Sequence, residues 1–242
     1  MSDDSNQRLD RIELKFRLEP GLSKTVRDWA KDHLERDPNC HPDSGDTYAI
    51  NTLYFDTADR DIFHQTKRIG MAKHRVRRYA GEQTVWLETK RKKNVVVRKK
   101  RTAVSDSDYL ARSTNEADDA WRGDWFLDRV SCRGLEPAIQ ISYQRFARVA
   151  TIDGRPMRLT IDSEINAGEV DAVNPWTVTS PSTLRRNGVR IGREFDVLEL
   201  KFHGTLPPLF KKFLQTFVVP MTSFSKYRTS MDAMPEVEQI HG

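Results

Sequence analysis

The chain has 242 residues, with 40 Lys and Arg against 35 Asp and Glu, a formal net charge of +5 and 37% hydrophobic residues. Two distant cysteines, Cys40 and Cys132, exclude a disulfide framework and a four-ligand zinc site, and the six histidines show no HxxxH or HxH spacing. No apolar run approaches the ~20 residues of a membrane span, the opening MSDDSNQRLD lacks the apolar core of a signal peptide, and the basic excess admits polyanionic partners: nucleic acid, phosphate esters or an anionic membrane surface.

RIELKFRL (11–18) alternates charged and apolar residues with period two and predicts a strand. The next segment has Pro20 and Ser23 near its start and Val26, Trp29, Ala30 and Leu34 at helical spacing, so a helix follows. TYAINTLYFDT (47–57) is β-branched and aromatic and ends in an Asp-Thr turn; KHRVRRYAG (73–81) is a strand closed by Gly81. TVWLETKRKK and VVVRKKRTAV read as a hairpin turning at Lys93-Asn94. Residues 105–135 open on a Ser-Asp cap and read as helix interrupted near Gly123. Strands resume at 137–150, 155–165 and 195–202, and 166–192, rich in Pro, Ser and Asn, reads as a loop with short β pieces. LPPLFKKFLQTF (206–217) is an amphipathic helix with Pro in its first turn, and SFSKYRTSMDAM closes the domain. With no repeat and no linker, residues 1–242 are expected to form one α+β domain of about eight strands, with 1–8 and 235–242 frayed.

Strand parity gathers the charges. Glu13, Lys15 and Arg17 share a face, as do Lys73, Arg75 and Arg77; Glu88, Lys90 and Lys92; Arg158, Thr160 and Asp162; and Glu199 with Lys201. The opposite faces of the first and last two strands are apolar. A solvated sheet face explains any one strand, and a cross-strand ion pair explains any one carboxylate. Many strands with Lys or Arg on the same face are costly, because like charges side by side destabilise a sheet. A bound polyanion relieves that cost, and closing the sheet into a barrel would turn the face into a basic tunnel. Glu13, Glu88, Asp162 and Glu199 are hard oxygen donors of the kind Mg²⁺ or Mn²⁺ takes together with phosphate oxygens.

The set RIELKF (11–16), TLYFDT (52–57), KHRVRRY (73–79), WLETKRK (86–92), VRKKR (97–101), ISYQR (141–145), RLTID (158–162), LELKF (198–202) and SFSKY (223–227) resembles the VTC domain, the polyphosphate polymerase family within the triphosphate tunnel metalloenzymes. No piece is specific alone; the ordered set spans nearly the whole chain. The resemblance implies a closed eight-stranded antiparallel β-barrel, a tunnel with helices packed outside. It implies Lys15, Arg75, Arg77 and Lys226 as catalytic residues. With Lys90, Lys99, Arg145, Arg158 and Lys201 they would bind ATP and polyphosphate; the run RKKR admits neighbouring registers, of which Lys99 is taken. Glu199 would hold Mn²⁺ or Mg²⁺, with Glu13, Glu88 and Asp162 as weaker metal candidates. The related CYTH branch opens ExExK; here Arg11 replaces the first Glu, which favours VTC and disfavours a two-carboxylate first-strand metal site.

The expected activity is metal-dependent phosphoryl transfer, moving the γ-phosphate of ATP onto a polyphosphate chain with release of ADP. Hydrolysis of triphosphate or tripolyphosphate is the alternative, and a non-catalytic polyphosphate or nucleic-acid binder is the third; no nucleic acid is expected, since Tyr79 and Trp86 read as core or rim rather than stacking platforms. Yeast relatives carry the domain beside an SPX domain and membrane helices. With neither in these residues, inositol-phosphate regulation and direct coupling to translocation are not expected. The compartment is expected to be cytoplasmic, or the inner face of a membrane where a membrane-protein partner brings the chain there.

Overall fold

The computed structural model describes residues 11–40, 45–79, 81–93, 96–114 and 120–234. In chain order the elements are β1 (Arg11–Leu18), α1 (Pro20–His33), β2 (Glu35–Arg36), β3 (Thr47–Asp56), α2 (Asp61–His64), β4 (Lys73–Tyr79), β5 (Thr84–Lys93), β6 (Val96–Ser105), α3 (Asp106–Ser113) and α4 (Asp124–Ser131). Then come β7 (Glu136–Ile152), β8 (Arg155–Gly168), α5 (Pro181–Asn187), β9 (Val189–Ile191), β10 (Asp196–His203), α6 (Pro208–Thr216) and α7 (Lys226–Ala233). Eight strands form one antiparallel path in the order β1-β10-β8-β7-β3-β4-β5-β6, with β2 added to β7 and β9 to β8.

The register keeps one face continuous across the path. Lys15 pairs with Glu199, Glu199 with Thr160, Arg145 with Asp162 and Tyr48 with Arg145. Tyr54 pairs with Arg75, Arg75 with Glu88 and Lys90 with Lys99. Because successive side chains alternate, residues one position away from these on each strand face outward. Outside β1, β10 and β8, Phe16, Leu159, Ile161, Leu198, Leu200 and Phe202 pack under α1 and α6 through Val26, Ala30, Phe210 and Phe213. Outside β3 to β6, Leu53, Phe55, Val76, Val85, Leu87 and Val104 pack under Tyr109 of α3 and Phe126 and Val130 of α4. Each such fully buried side chain contributes roughly 1.5–3 kcal/mol, so the helices outside the sheet hold the polar face inside.

Among the described residues the curled sheet is antiparallel as expected but is not closed into a barrel by hydrogen bonds. Among the described residues no ladder joins β1 to β6. The physical reason lies on the free edge of β1, where the segment after α6 runs as a strap. Thr222 N–H donates to the Lys15 carbonyl at 2.9 Å and Arg17 N–H to the Pro220 carbonyl at 3.2 Å. Those backbone groups are therefore unavailable to β6. The two ends of the curled sheet meet instead through side chains, with Lys90 Nζ of β5 3.0 Å from Glu13 Oε2 of β1.

Several expectations need adjustment. The stretch 166–192 contains helix α5 as well as β9, and SFSKYRTSMDAM folds as helix α7 beyond Ser225. The helical region after Ser105 is two helices, with residues 115–119 between them outside the described set. Asn94 of the hairpin turn and the tails 1–8 and 235–242 also lie outside it. A bulge between Ser142 and Gln144 of β7, opposite Glu164 at φ 51°, lets the long β7–β8 ladder bend.

Candidate functional site: a basic cavity inside the curled sheet

The polar face encloses a cavity of about 810 Å³ lined by twelve Lys or Arg side chains and two Glu. All the sequence-predicted cations reach it: Lys15, Arg75, Arg77, Lys90, Lys99, Arg145, Arg158, Lys201 and Lys226 line it together with Glu13 and Glu199. Glu88 and Asp162 do not line it; both are fully buried behind it.

Each buried carboxylate gathers cations. Glu88 sits 2.7 Å from Arg75 Nη2 and 2.5 Å from Lys99 Nζ, with Arg77 at 3.8 Å and Arg101 at 3.9 Å. Asp162 accepts both prongs of Arg145, at 2.6 and 2.7 Å, and Lys226 at 2.5 Å. Burial opposes the charge of both acids, and the surrounding cations overcome it, so both titrate far below ordinary carboxylates. Their oxygens face guanidinium and ammonium groups behind the cavity wall, away from the position an ion in the cavity would take. They hold the arginine forks in place instead.

Glu13 and Glu199 are arranged differently. Lys15 Nζ bridges them, 3.4 Å from Glu13 and 3.1 Å from Glu199, while Lys201 bonds Glu199 and Lys90 bonds Glu13. Burial raises the Glu13 pKa and the neighbouring Glu199 adds to that, but Lys201, Lys90 and Lys15 hold it at about 2. Among the described residues no three Asp, Glu, His or Cys side chains converge. The donor set of two cavity-lining carboxylates fits an ion such as Mg²⁺ or Mn²⁺ that takes one or two carboxylates and completes its shell with phosphate oxygens and water. The lysines now on those oxygens are mobile point charges that a phosphate can draw away.

The cavity carries more positive charge than its acids neutralise. Burial pushes Lys99 down to about 7; Glu88 opposes this, but Arg77 and Arg75 add to the shift, because Glu88 is shared among several cations. Lys201 falls to about 8 through burial and Arg145, against the pull of Glu199. Lys73 falls to about 8 through burial and through Lys15, Lys90 and Arg75. Tyr54, whose hydroxyl accepts from Arg75 at 3.0 Å, is driven down to about 8 by Arg75, Arg77 and Lys73 despite its burial.

Three lining cations, Lys73, Arg101 and Arg228, are absent from the list drawn from sequence, as is Tyr54. Lys73 has the parity of Arg75 and Arg77 and was readable on that ground. Its Nζ donates to Ser225 Oγ at 2.5 Å, and among the described residues it forms no ion pair with a carboxylate. Asp37, which holds Arg158 at 2.6 Å, had no signal in sequence, because it lies in a loop after β2. The cavity is walled near β1 by the strap and the segment beyond it. Lys15 Nζ donates to the Phe224 carbonyl at 3.3 Å, and Tyr227 of α7 packs on Tyr54 at 5.2 Å and donates its hydroxyl to Asp56. Asp56 also accepts the N–H groups of Thr57, Ile62 and Phe63 at 2.8, 2.8 and 3.0 Å, so the acid of YFDT fixes the β3–α2 turn.

The family model for the VTC domain matches residues 10–235. A search of curated proteins gave no match. Among solved structures, a candidate adenylyl cyclase from Hippeastrum, described as having a dominant triphosphatase activity, is similar at 15% identity and TM-score 0.52 over 92% of this chain and 95% of that one. A candidate adenylate cyclase from Bacillus halodurans is similar at 14% identity and TM-score 0.51 over 90% of this chain and 94% of that one. At these identities the likeness concerns the fold.

Proposed function

The chain belongs to the VTC-domain family, and from that premise we propose that its basic cavity transfers the γ-phosphate of ATP to the end of a polyphosphate chain. The observation that carries the reading is the lining of twelve cations against two carboxylates, drawn from α7 and from every strand of the curled path except β3, which contributes Tyr54. A cavity with this excess of cations concentrates multiply charged anions. A terminal phosphate oxygen of the chain attacks the γ-phosphorus, the bond from that phosphorus to the β,γ-bridging oxygen breaks, and ADP leaves with the electron pair. No protein nucleophile is needed, so positioning and charge stabilisation carry the catalysis.

Arg75, Arg77 and Arg145, held by Glu88 and Asp162, present rigid forks to phosphate oxygens. Lys15, Lys90, Lys99, Lys201 and Lys226 add point charges, and Arg158, anchored by Asp37 and by the Tyr48 hydroxyl at 2.7 Å, extends the grip along the cavity. Glu199, with Glu13, would hold Mn²⁺ or Mg²⁺, which would neutralise charge on the phosphate oxygens. Lys73 and Tyr54, which also line the cavity, would orient the bound anion.

Hydrolysis with water as nucleophile is the second reading, favoured by the triphosphatase activity described for the Hippeastrum protein of the same fold. Phosphorus NMR of purified protein with ATP and Mn²⁺ separates the two. Mid-chain phosphate signals that disappear in Glu199→Ala are the expected result; orthophosphate as the only product overturns polymerisation in favour of hydrolysis. No described helix is long and apolar enough to cross a membrane.

A further inference from the structure

Outside the cavity, β5, β6 and α4 carry a second set of cations. Arg91 and Arg98 are cross-strand partners on the outward face, and Lys100 follows two residues after Arg98. All three are exposed. Arg129 of α4 and Arg133 just beyond it border the same face. None of these five forms an ion pair among the described residues, in contrast to the cavity cations beside Glu88 and Asp162. Beneath them His74, 1% exposed, is pushed down to about 4 by burial and by Arg133 and Arg129.

The patch is continuous with the cavity through one strand. Among the described residues β6 has no strand partner on its far side. Its Lys99 and Arg101 line the cavity, and its Arg98 and Lys100 face outward, so a single residue step separates the two surfaces. We propose that this outer face is a second binding track for linear polyphosphate, which holds the chain after it leaves the cavity across the open β6 edge. The choice of occupant rests on the function proposed above.

The local chemistry argues against the other polyanions. The Trp125 ring already has Lys100 Nζ at 4.1 Å and Arg129 at 5.6 Å, and its indole N–H donates to Thr102 at 2.9 Å. It is therefore poorly placed as a stacking platform for single-stranded nucleic acid. Among the residues whose burial is described, the exposed large apolar ones, Met71, Val173, Leu206, Val218 and Met221, all lie on other segments, which disfavours a lipid surface as the occupant. A flexible chain with a charge on every unit needs neither.

The test compares the protein with its R98Q/K100Q/R129Q variant, and with R75Q/R77Q in the cavity, in titrations with tripolyphosphate and with long-chain polyphosphate. The outer variant should keep its affinity for tripolyphosphate and lose about tenfold for the long chain. Its slope of log affinity against log salt should fall by about 2, near 0.7 per neutralised charge as for flexible single strands. R75Q/R77Q should lose tripolyphosphate and retain weak, salt-sensitive binding of the long chain. Equal long-chain affinity in the outer variant and the parent overturns the track. So does a loss seen only with duplex DNA or with phosphatidylserine vesicles. Failure of the parent protein to bind tripolyphosphate would instead overturn the function proposed for the cavity, so the two failures are distinguishable.

Discussion

Glu88→Gln tests whether the cavity is held together by charge compensation. Glu88 is fully buried, and Arg75, Arg77, Lys99 and Arg101 converge on it. Removing one partner from a buried ion pair costs about 3–5 kcal/mol, because the remaining charge is left uncompensated. Here the lower end applies: Lys99, already down at about 7, can shed its proton once Glu88 is neutral. About 3 kcal/mol corresponds to a melting temperature roughly 6–12 °C lower for a chain of this size. Tripolyphosphate then replaces the missing charge, so its stabilisation should be larger in the variant than in the parent, where a hundredfold excess over Kd gives about 2.7 kcal/mol. Differential scanning fluorimetry with and without the anion reads both effects. A drop below about 2 °C, or an identical ligand shift in both proteins, would refute the account of Glu88 as a counter-charge for the cavity.

Lysines at about 7 and 8 in the empty cavity gain a partner when an anion binds, so their pKa values rise and protons are taken up. Affinity for tripolyphosphate should therefore fall as pH rises above about 7, and calorimetry at pH 8 in buffers of different ionisation heat should register uptake that shrinks in Lys99→Met; equal uptake in both proteins counts against it. Arg145→Lys removes the two-pronged bond to Asp162 at 2.6 and 2.7 Å, which also holds Lys226. Losing one charge-assisted bond of about 1.5–3 kcal/mol should weaken tripolyphosphate binding about 10–100-fold, and an unchanged Kd contradicts the positioning role. Asp56→Ala strands the N–H groups of Thr57, Ile62 and Phe63. At about 1–3 kcal/mol per unmet buried group, urea unfolding should reveal a loss of at least about 3 kcal/mol; a loss under about 1 kcal/mol would mean that water meets those groups.

Much of this arrangement was readable from alternation alone. RIELKF, KHRVRRY and LELKF place their charges at i, i+2, and in the register of β1, β4 and β10 those charges fall on one face. Lys73 obeys the same parity, although the resemblance implies a role only for the two arginines beside it. Helices α5 and α7 each follow a serine whose side chain caps the first turn, Ser180 accepting from Thr183 N–H and Ser225 from Arg228 N–H. Both signals were present in SPST and SKYR, but seven- and eight-residue helices leave too little periodicity to stand out from a polar loop. The open seam was not readable. It depends on the strap 220–222 meeting β1, and a one-sided contact between extended segments leaves no period in the sequence. Asp37 under Arg158 is likewise a tertiary coincidence of a loop with a distant strand.

The strap also has a consequence for how the molecule comes into being. Lys15 and Phe224 touch across 209 positions of chain, and β1 has its only ladder among the described residues with β10. β1 leaves the ribosome long before β10 and the strap, and is thus among the last of the described strands to find its neighbour. Pairings of such long range make folding slow, and until β10 and the strap arrive, Ile12, Leu14, Phe16 and Leu18 stand as an unsatisfied sticky edge for chaperones or for another nascent copy.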